Sequence, residues 1–273
     1  MKGVILAGGT GSRLYPLTKV TNKHLLPVYS KPMIYYPLFT LKSAGITNVM
    51  IVSGKGHAGD FLELLGSGSQ FGMKISYEVQ EEAGGIAQAL SLCEDFINNE
   101  KAVVILGDNV FEDSIAQDVN DFKVQPRGAK VFLKKVSNPE AYGVAEFDGE
   151  NIKSIVEKPT APVSDAAVTG LYMYDPQVFD VIKGLSPSQR NELEITDVNN
   201  FYLEQGTLSH RTLDGFWGDS GESFDSLMEA AGLIRGSHLR NLNDHLDVDD
   251  RTSAGLADES VNVPKGTIKS LFS

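Results

Sequence analysis

The chain has 273 residues, 41% hydrophobic and 22% charged, a composition that excludes wholesale disorder and collagen-like repeats and suits one large domain or two small ones. Acidic residues outnumber basic ones 36 to 24, and the formal net charge of −12 argues against a nucleic-acid binder, whose affinity requires a positive surface. No run approaches the roughly 18 apolar residues of a membrane span, the apolar opening of the chain is too short for a signal-peptide core, and one cysteine, Cys93, can form neither an internal disulfide nor a multi-thiolate metal site. These features predict a cytoplasmic protein, with Cys93 a buried bystander.

Short apolar runs at 3–7, 49–53, 75–79, 102–106 and 129–133 read as buried strands. Between them, 33–43, 61–65, 87–96 and 115–122 carry helical spacing and caps. This alternation predicts an α/β fold with a doubly wound, mostly parallel sheet covered on both faces. From Tyr142 the pattern changes. Segments 143–147 and 152–157 flank Asp148-Gly149-Glu150-Asn151 as a hairpin. A strand over 168–174, a helix ending near Lys183, a helix through Tyr202, a strand near Leu208 and a helix over 223–235 follow. These divide the chain into one domain, 1–236, and a tail, 237–273, with sparse apolar residues and the character of an oligomer contact. Within the tail, Asp247-Val248-Asp249-Asp250 resembles the opening of a calcium loop. Thr252 and Asp258 stand where such a loop needs Gly and Glu, so calcium is not expected.

Charge is unevenly spread. Residues 1–59 hold seven Lys or Arg and no Asp or Glu, where an even spread would put about eight acids. An acid-free, glycine-rich, basic segment suits a small polyanion, since nearby carboxylates would oppose phosphate. Inside it, Gly8-Gly9-Thr10-Gly11-Ser12-Arg13 follows the first strand, where bare backbone N–H groups can approach an anion. The loop lacks the Gly-Lys-Ser/Thr ending of a P-loop and the third glycine of a dinucleotide fingerprint, which disfavours an ATPase and an NAD enzyme.

The longer pattern is specific. Leu6 to Leu14, Pro16-Leu17-Thr18, Lys23-His24-Leu25-Leu26-Pro27-Val28 and Lys31-Pro32-Met33-Ile34 resemble the opening of the sugar-1-phosphate nucleotidylyltransferases. The likeness continues through Gln80, Gly85-Ile86-Ala87-Gln88-Ala89, Leu106-Gly107-Asp108-Asn109, Tyr142-Gly143-Val144, Glu157-Lys158-Pro159, Val168 to Tyr172, Glu192 to Thr196 and Trp217 to Gly221.

The resemblance implies a Rossmann-like nucleotidyltransferase fold with a small antiparallel sugar-binding part, acting as a homo-oligomer without nucleic acid or membrane. It implies attack by a sugar-1-phosphate oxygen on the α-phosphorus of a nucleoside triphosphate, with dTTP and glucose 1-phosphate as the foremost pair. UTP or CTP with another hexose phosphate, or a non-catalytic sensor, are the alternatives. It further implies Mg²⁺ held by Asp108 and Asp219, with Arg13 and Lys23 on the triphosphate and Lys158 on the sugar phosphate as the catalytic set. Leu6, Ala7, Gly8, Gly9, Gly11, Gln80 and Gly85 are the implied nucleotide contacts, and Tyr142, Gly143, Glu157, Val168, Tyr172 and Trp217 the implied sugar contacts. Of Glu192 and Glu194, one is expected at the sugar and the other as a cap of the next helix. His24 departs from the Gln of many relatives, Gly218 from a larger apolar residue, and the chain reads as a short form lacking the carboxyl-terminal helical subdomain of long ones.

Overall fold

The computed structural model describes residues 1–237 and Leu239; the tail and its calcium-like segment lie outside the described residues. In chain order the strands are β1 (Lys2–Ala7), β2 (Pro27–Val28), β3 (Lys31–Pro32), β4 (Asn48–Gly54), β5 (Lys74–Gln80), β6 (Ala102–Leu106), β7 (Asn109–Phe111), β8 (Ala129–Lys135), β9 (Gly143–Asp148), β10 (Asn151–Glu157), β11 (Ala166–Tyr174), β12 (Leu208–Thr212) and β13 (Trp217–Asp219). The helices are α1 (Tyr35–Ser43), α2 (Ala58–Leu65), α3 (Ile86–Ser91), α4 (Glu94–Ile97), α5 (Ala116–Val124), α6 (Val178–Lys183), α7 (Ile195–Glu204) and α8 (Phe224–Gly236).

A nine-stranded sheet runs β10-β9-β11-β6-β1-β4-β5, with β8 beside β11 and β12 beside β8. The four strands β6, β1, β4 and β5 are mutually parallel, which requires helical crossovers and buries the inner three, β6, β1 and β4, on both faces. Side chains alternate accordingly. Val4 and Leu6 join one apolar face with Val104, Tyr172 and Tyr174, packed under α3, α6 and α7. Ile5 and Ala7 join the other with Ile51, Ile105 and Leu38, under α1, α2 and α5. Each such Leu, Ile or Val contributes about 1.5–3 kcal/mol by leaving water. The core therefore fixes the carboxyl ends of four strands along one edge, where an open α/β sheet gathers its ligands.

The mostly parallel sheet expected from the sequence is present, with the antiparallel strand β11 inserted among strands of common direction. β8, read as a further parallel strand, is separated from β6 by β11, which runs antiparallel to both. An apolar run specifies burial, not partner, and the later strand β11 inserts at the open edge of β6. Between Val168 and Tyr172, β11 gains residues against β8, and the ladder there is broken. The 87–96 helix is also divided, into α3 and α4. Ser91 Oγ donates back to the Gln88 carbonyl at 2.7 Å and the Cys93 N–H takes a tighter three-residue bond to Leu90, so the helix ends between them. Cys93 is buried as expected, its thiol pushed up to about 12 by burial and then by the Glu78 charge.

A third, smaller apolar cluster seats α8 on Val28, Met33, Tyr36 and Val110. Ser223 opens α8 with a capping box, its side chain accepting from the Ser226 N–H while Ser226 Oγ accepts from the Ser223 N–H. That anchor holds the preceding β13–α8 turn against the end of β6.

Candidate active site

A cleft with two lobes opens along the carboxyl ends of β1, β5 and β6. The first lobe, about 230 Å³, is lined by Leu6, Gly8, Gly9, Lys23, His24, Gln80, Gly85 and Asp108 among others. The second, about 270 Å³, is lined by Arg13, Tyr142, Gly143, Glu157, Lys158, Val168, Tyr172, Arg190, Trp217 and Asp219 among others. Ile86, Leu106 and Glu192 border both, so the lobes are continuous. Of the nucleotide contacts implied by resemblance, Ala7 and Gly11 line neither lobe. The Ala7 methyl belongs to the core face opposite Leu6, and the Gly11 carbonyl is taken by Leu14 N–H and Thr18 Oγ.

Asp108 leaves the end of β6 and Asp219 ends β13, which pairs antiparallel with β7 so that Asp219 stands opposite Asn109. A buried carboxylate, Asp108, and a half-buried one, Asp219, thereby share one corner. Burial alone would raise both. The Lys23 ammonium, 2.5 Å from Asp108 Oδ2, together with a bond from Asn109 Nδ2 at 3.0 Å, holds Asp108 well below the usual carboxylate range. Asp219 is pushed up to about 7, by burial and then by the Asp108 charge. Lys23 stays charged: burial opposes its proton, and Asp108 outweighs that and raises it. The corner is tight. A Cβ at Gly221 would stand 2.5 Å from Asp108 Oδ2 and 2.9 Å from Lys23 Nζ, so the β13–α8 turn can pass here only as glycine.

His24 lies beneath the same corner, its Nδ1 2.7 Å from Asn22 Oδ1. Burial and then the Lys23 charge push it down to about 3, so it is neutral. The Asn109 side chain connects the lobes. Its Nδ2 faces Asp108, and its Oδ1 accepts from Gly170 N–H at 3.0 Å and Trp217 Nε1 at 2.7 Å. This tie coincides with the break in the β11 ladder, where Gly170 turns its N–H out of the sheet.

In the second lobe Tyr142 meets Trp217 edge to face, ring centres 5.1 Å apart. Burial pushes the Tyr142 hydroxyl up to about 12. Lys158 adopts φ 43°, the left-handed region, with its N–H on the Tyr142 carbonyl at 3.0 Å. Strain of this kind is held only where the surroundings dictate it. Thr196 Oγ1 donates to Glu157 Oε2 at 2.6 Å. Arg190, unforeseen in the sequence, donates to Glu194 at 2.6 Å and Glu157 at 3.2 Å and lies 3.4 Å from Glu192. Glu194 stands at the N-cap of α7, but its side chain makes no capping bond and accepts from Arg190 and Ser188 instead. Arg13 pairs with Glu222, at the start of the α8 turn.

Of the seven cations in the acid-free segment, only Arg13 and Lys23 line the cleft. Lys2 turns to Glu100 and the Phe96 carbonyl, and Lys55 to Glu81. Chemically the cleft offers a row of cations, two converging carboxylates, a glycine-lined floor and an aromatic end wall. It can hold two polyanions side by side, and the described residues include no group of three or more His, Cys, Asp or Glu that could cage a metal unaided.

A cleft of this kind on a doubly wound sheet is the site of a nucleotidyltransferase, and the chain belongs to the nucleotidyl transferase family, which it matches over residues 2–236. It is an enzyme of that class. It is 49% identical over 249 residues to a glucose-1-phosphate thymidylyltransferase of Neisseria meningitidis serogroup A, covering 89% of this chain and 86% of the relative. It is 45% identical over 244 residues to a glucose-1-phosphate thymidylyltransferase of Mycolicibacterium smegmatis, covering 88% and 84%. A Bacillus anthracis crystal structure with sucrose, described as a glucose-1-phosphate thymidylyltransferase, matches with a TM-score of 0.83 at 56% identity, over 86% of this chain and 95% of that one. UDP-glucose pyrophosphorylase with UDP-glucose matches at 24% identity with a TM-score of 0.76, over 86% and 98%, and speaks for the fold alone.

Proposed function

We propose that this enzyme transfers a thymidylyl group from dTTP to α-D-glucose 1-phosphate, giving dTDP-glucose and pyrophosphate. The observation that carries the reading is the meeting of Arg13, Lys23, Asp108, Lys158, Arg190 and Asp219, from distant parts of the chain, along one two-lobed cleft. The relatives' names supply the substrate pair.

The chain's residues divide the work. In the first lobe, Leu6, Gly8 and Gln80 receive deoxyribose and base, while Lys23, and Arg13 from the second lobe, hold the triphosphate between them. In the second, Glu157 accepts from sugar hydroxyls, Gly143 lets the hexose lie against backbone, and Lys158 and Arg190 hold its phosphate. A phosphate oxygen of the sugar forms a bond to the α-phosphorus as the bond from that phosphorus to the β-phosphate bridging oxygen breaks, and pyrophosphate leaves with the electron pair. No protein nucleophile is needed. Catalysis is positioning and charge stabilisation by preorganised cations.

The donor set at Asp108 and Asp219 fits Mg²⁺. Two neighbouring carboxylates, one with its proton affinity raised by the other's charge, favour a cation near both, and hard oxygens are the ligands Mg²⁺ takes. When bound, the ion neutralises developing phosphate charge as a Lewis acid. A reducing compartment, the cytoplasm, belongs to the same reading, supported by the single buried cysteine.

Pyrophosphate release, measured for dTTP, UTP, CTP and ATP against several hexose 1-phosphates with and without Mg²⁺, tests the proposal. The expected result is fastest turnover with dTTP and glucose 1-phosphate, abolished by chelation. Thymine and uracil differ by one methyl, worth about 1–3 kcal/mol in an apolar pocket, so UTP is expected as a weaker substrate. No turnover of dTTP with any sugar phosphate would refute it.

A further inference from the structure

Gln80 and Gln88 make a pair at the wall of the first lobe. Gln80 ends β5 and is buried. Its Nε2 donates to the Gly85 carbonyl at 3.3 Å and to Gln88 Oε1 at 2.6 Å. A primary amide nitrogen has two hydrogens, so both are committed. The Gly85 carbonyl cannot donate, which establishes the nitrogen end of the Gln80 amide independently of Gln88. The remaining group is Gln80 Oε1. It lies over Gly8, where a Cβ would stand only 2.6 Å away, and both residues line the lobe. From this amide the lobe therefore receives an acceptor and no donor.

Gln88 does not itself line the lobe; it sits on α3, behind Gln80. Its side chain is confined by Gly84, where a Cβ would come 2.9 Å from Gln88 Cγ. Its bond to Gln80 is the shorter of the two, and the Gly85 bond is at the long end of the range. Without Gln88, the orientation of the Gln80 amide rests on that long Gly85 bond alone.

We propose that Gln88 is a positioning residue for base choice: by accepting from Gln80 Nε2 it keeps Gln80 Oε1 facing the nucleotide lobe, which selects a pyrimidine carrying N3–H over one whose N3 is bare. Thymine and uracil carry that hydrogen. Cytosine sets a lone pair against the oxygen instead, and a buried acceptor without a donor is a strong means of rejection. The inference rests on the reaction proposed above and adds the means by which it discriminates among bases.

The test measures pyrophosphate release with glucose 1-phosphate and dTTP, dUTP or dCTP, for wild type and for Gln88→Leu, Gln88→Lys and Gln88→Glu. The pair dUTP and dCTP isolates the hydrogen-bonding edge, sharing sugar and lacking the methyl. The kcat/KM ratio of dUTP over dCTP is expected to fall about tenfold in Gln88→Leu, the factor carried by one net hydrogen bond. It should fall further in Gln88→Lys, whose ammonium donates to Gln80 Oε1 and turns the amide nitrogen toward the lobe. Gln88→Glu keeps an acceptor and should hold the ratio within about threefold. The KM for glucose 1-phosphate should not move in any of them. Should Gln88→Lys fail to fold by circular dichroism, Gln88→Leu carries the comparison alone. A role in packing only would lower activity with dUTP and dCTP by one common factor, and that unchanged ratio would overturn the inference. Wild type without dTTP turnover defeats the reaction instead; wild type active with dTTP but unaltered selectivity in the variants defeats Gln88 alone.

Discussion

His24→Gln tests the electrostatics beneath the phosphate corner. The imidazole is 1% exposed and neutral, pushed from 6.5 down to about 3 by burial and then by the Lys23 charge. An unfolded chain takes up the proton near 6.5 while the folded one refuses it until about 3, so this group's contribution is intact above 6.5 and drains away as pH falls between the two values. Between pH 7 and pH 5 the loss is about 2 kcal/mol, and it barely depends on the folded value so long as that lies well below 5. Asp219 runs the other way. Raised from 3.8 to about 7, it is destabilising when ionised and returns stability as pH falls from 7. The wild-type curve alone therefore mixes two opposed contributions. Comparing it with His24→Gln removes the shared one, because a neutral His24 has no charge with which to influence its neighbours in that window. Urea unfolding of both proteins at pH 7 and pH 5, 25 °C, is the assay. Wild type should lose about 2 kcal/mol more than the variant between the two pH values. Parallel losses would mean that His24 titrates normally and the corner is wetter than its packing implies.

Asp219→Asn removes a carboxylate that repels Asp108, so at pH 8 with chelator present the variant should melt above wild type, while turnover with Mg²⁺ falls about 10²-fold or more. Turnover within a few-fold of wild type would remove Asp219 from the mechanism. Lys158→Ala should raise the KM for glucose 1-phosphate at least about tenfold while leaving that for dTTP within about twofold, since Lys158 lines the second lobe only. Equal effects on both substrates would reassign it.

How much was legible in the sequence follows from what each element depends on. The parallel strands announce themselves because burial on both faces demands a continuous apolar run, as in Val103-Val104-Ile105. β7 and β13 do not: three residues each, they are strands only by pairing with each other, between α1 and α8. Asp108, Asp219 and Lys158 stand in segments long enough to be matched. Arg190 hid in plain view, because Arg190 and Glu194 are spaced as an ordinary surface pair, and only the fold brings Glu157 to the same guanidinium. Gln88 and Asn109 carry no charge, and a lone amide has no pattern to read until its partners are seen. The acid-free opening does border the cleft, but through Arg13 and Lys23 alone, and its other five cations line neither lobe.

Three of the cleft's cations are already paired within the protein: Arg13 with Glu222, Lys23 with Asp108, Arg190 with a ring of three glutamates. An arriving phosphate thus replaces one anion with another rather than gathering a bare positive charge out of water. Affinity becomes a difference between two sets of salt links, and few mobile ions from solution are released when the exchange occurs. Ionic strength should therefore weigh less on substrate affinity than a tally of phosphate contacts would suggest.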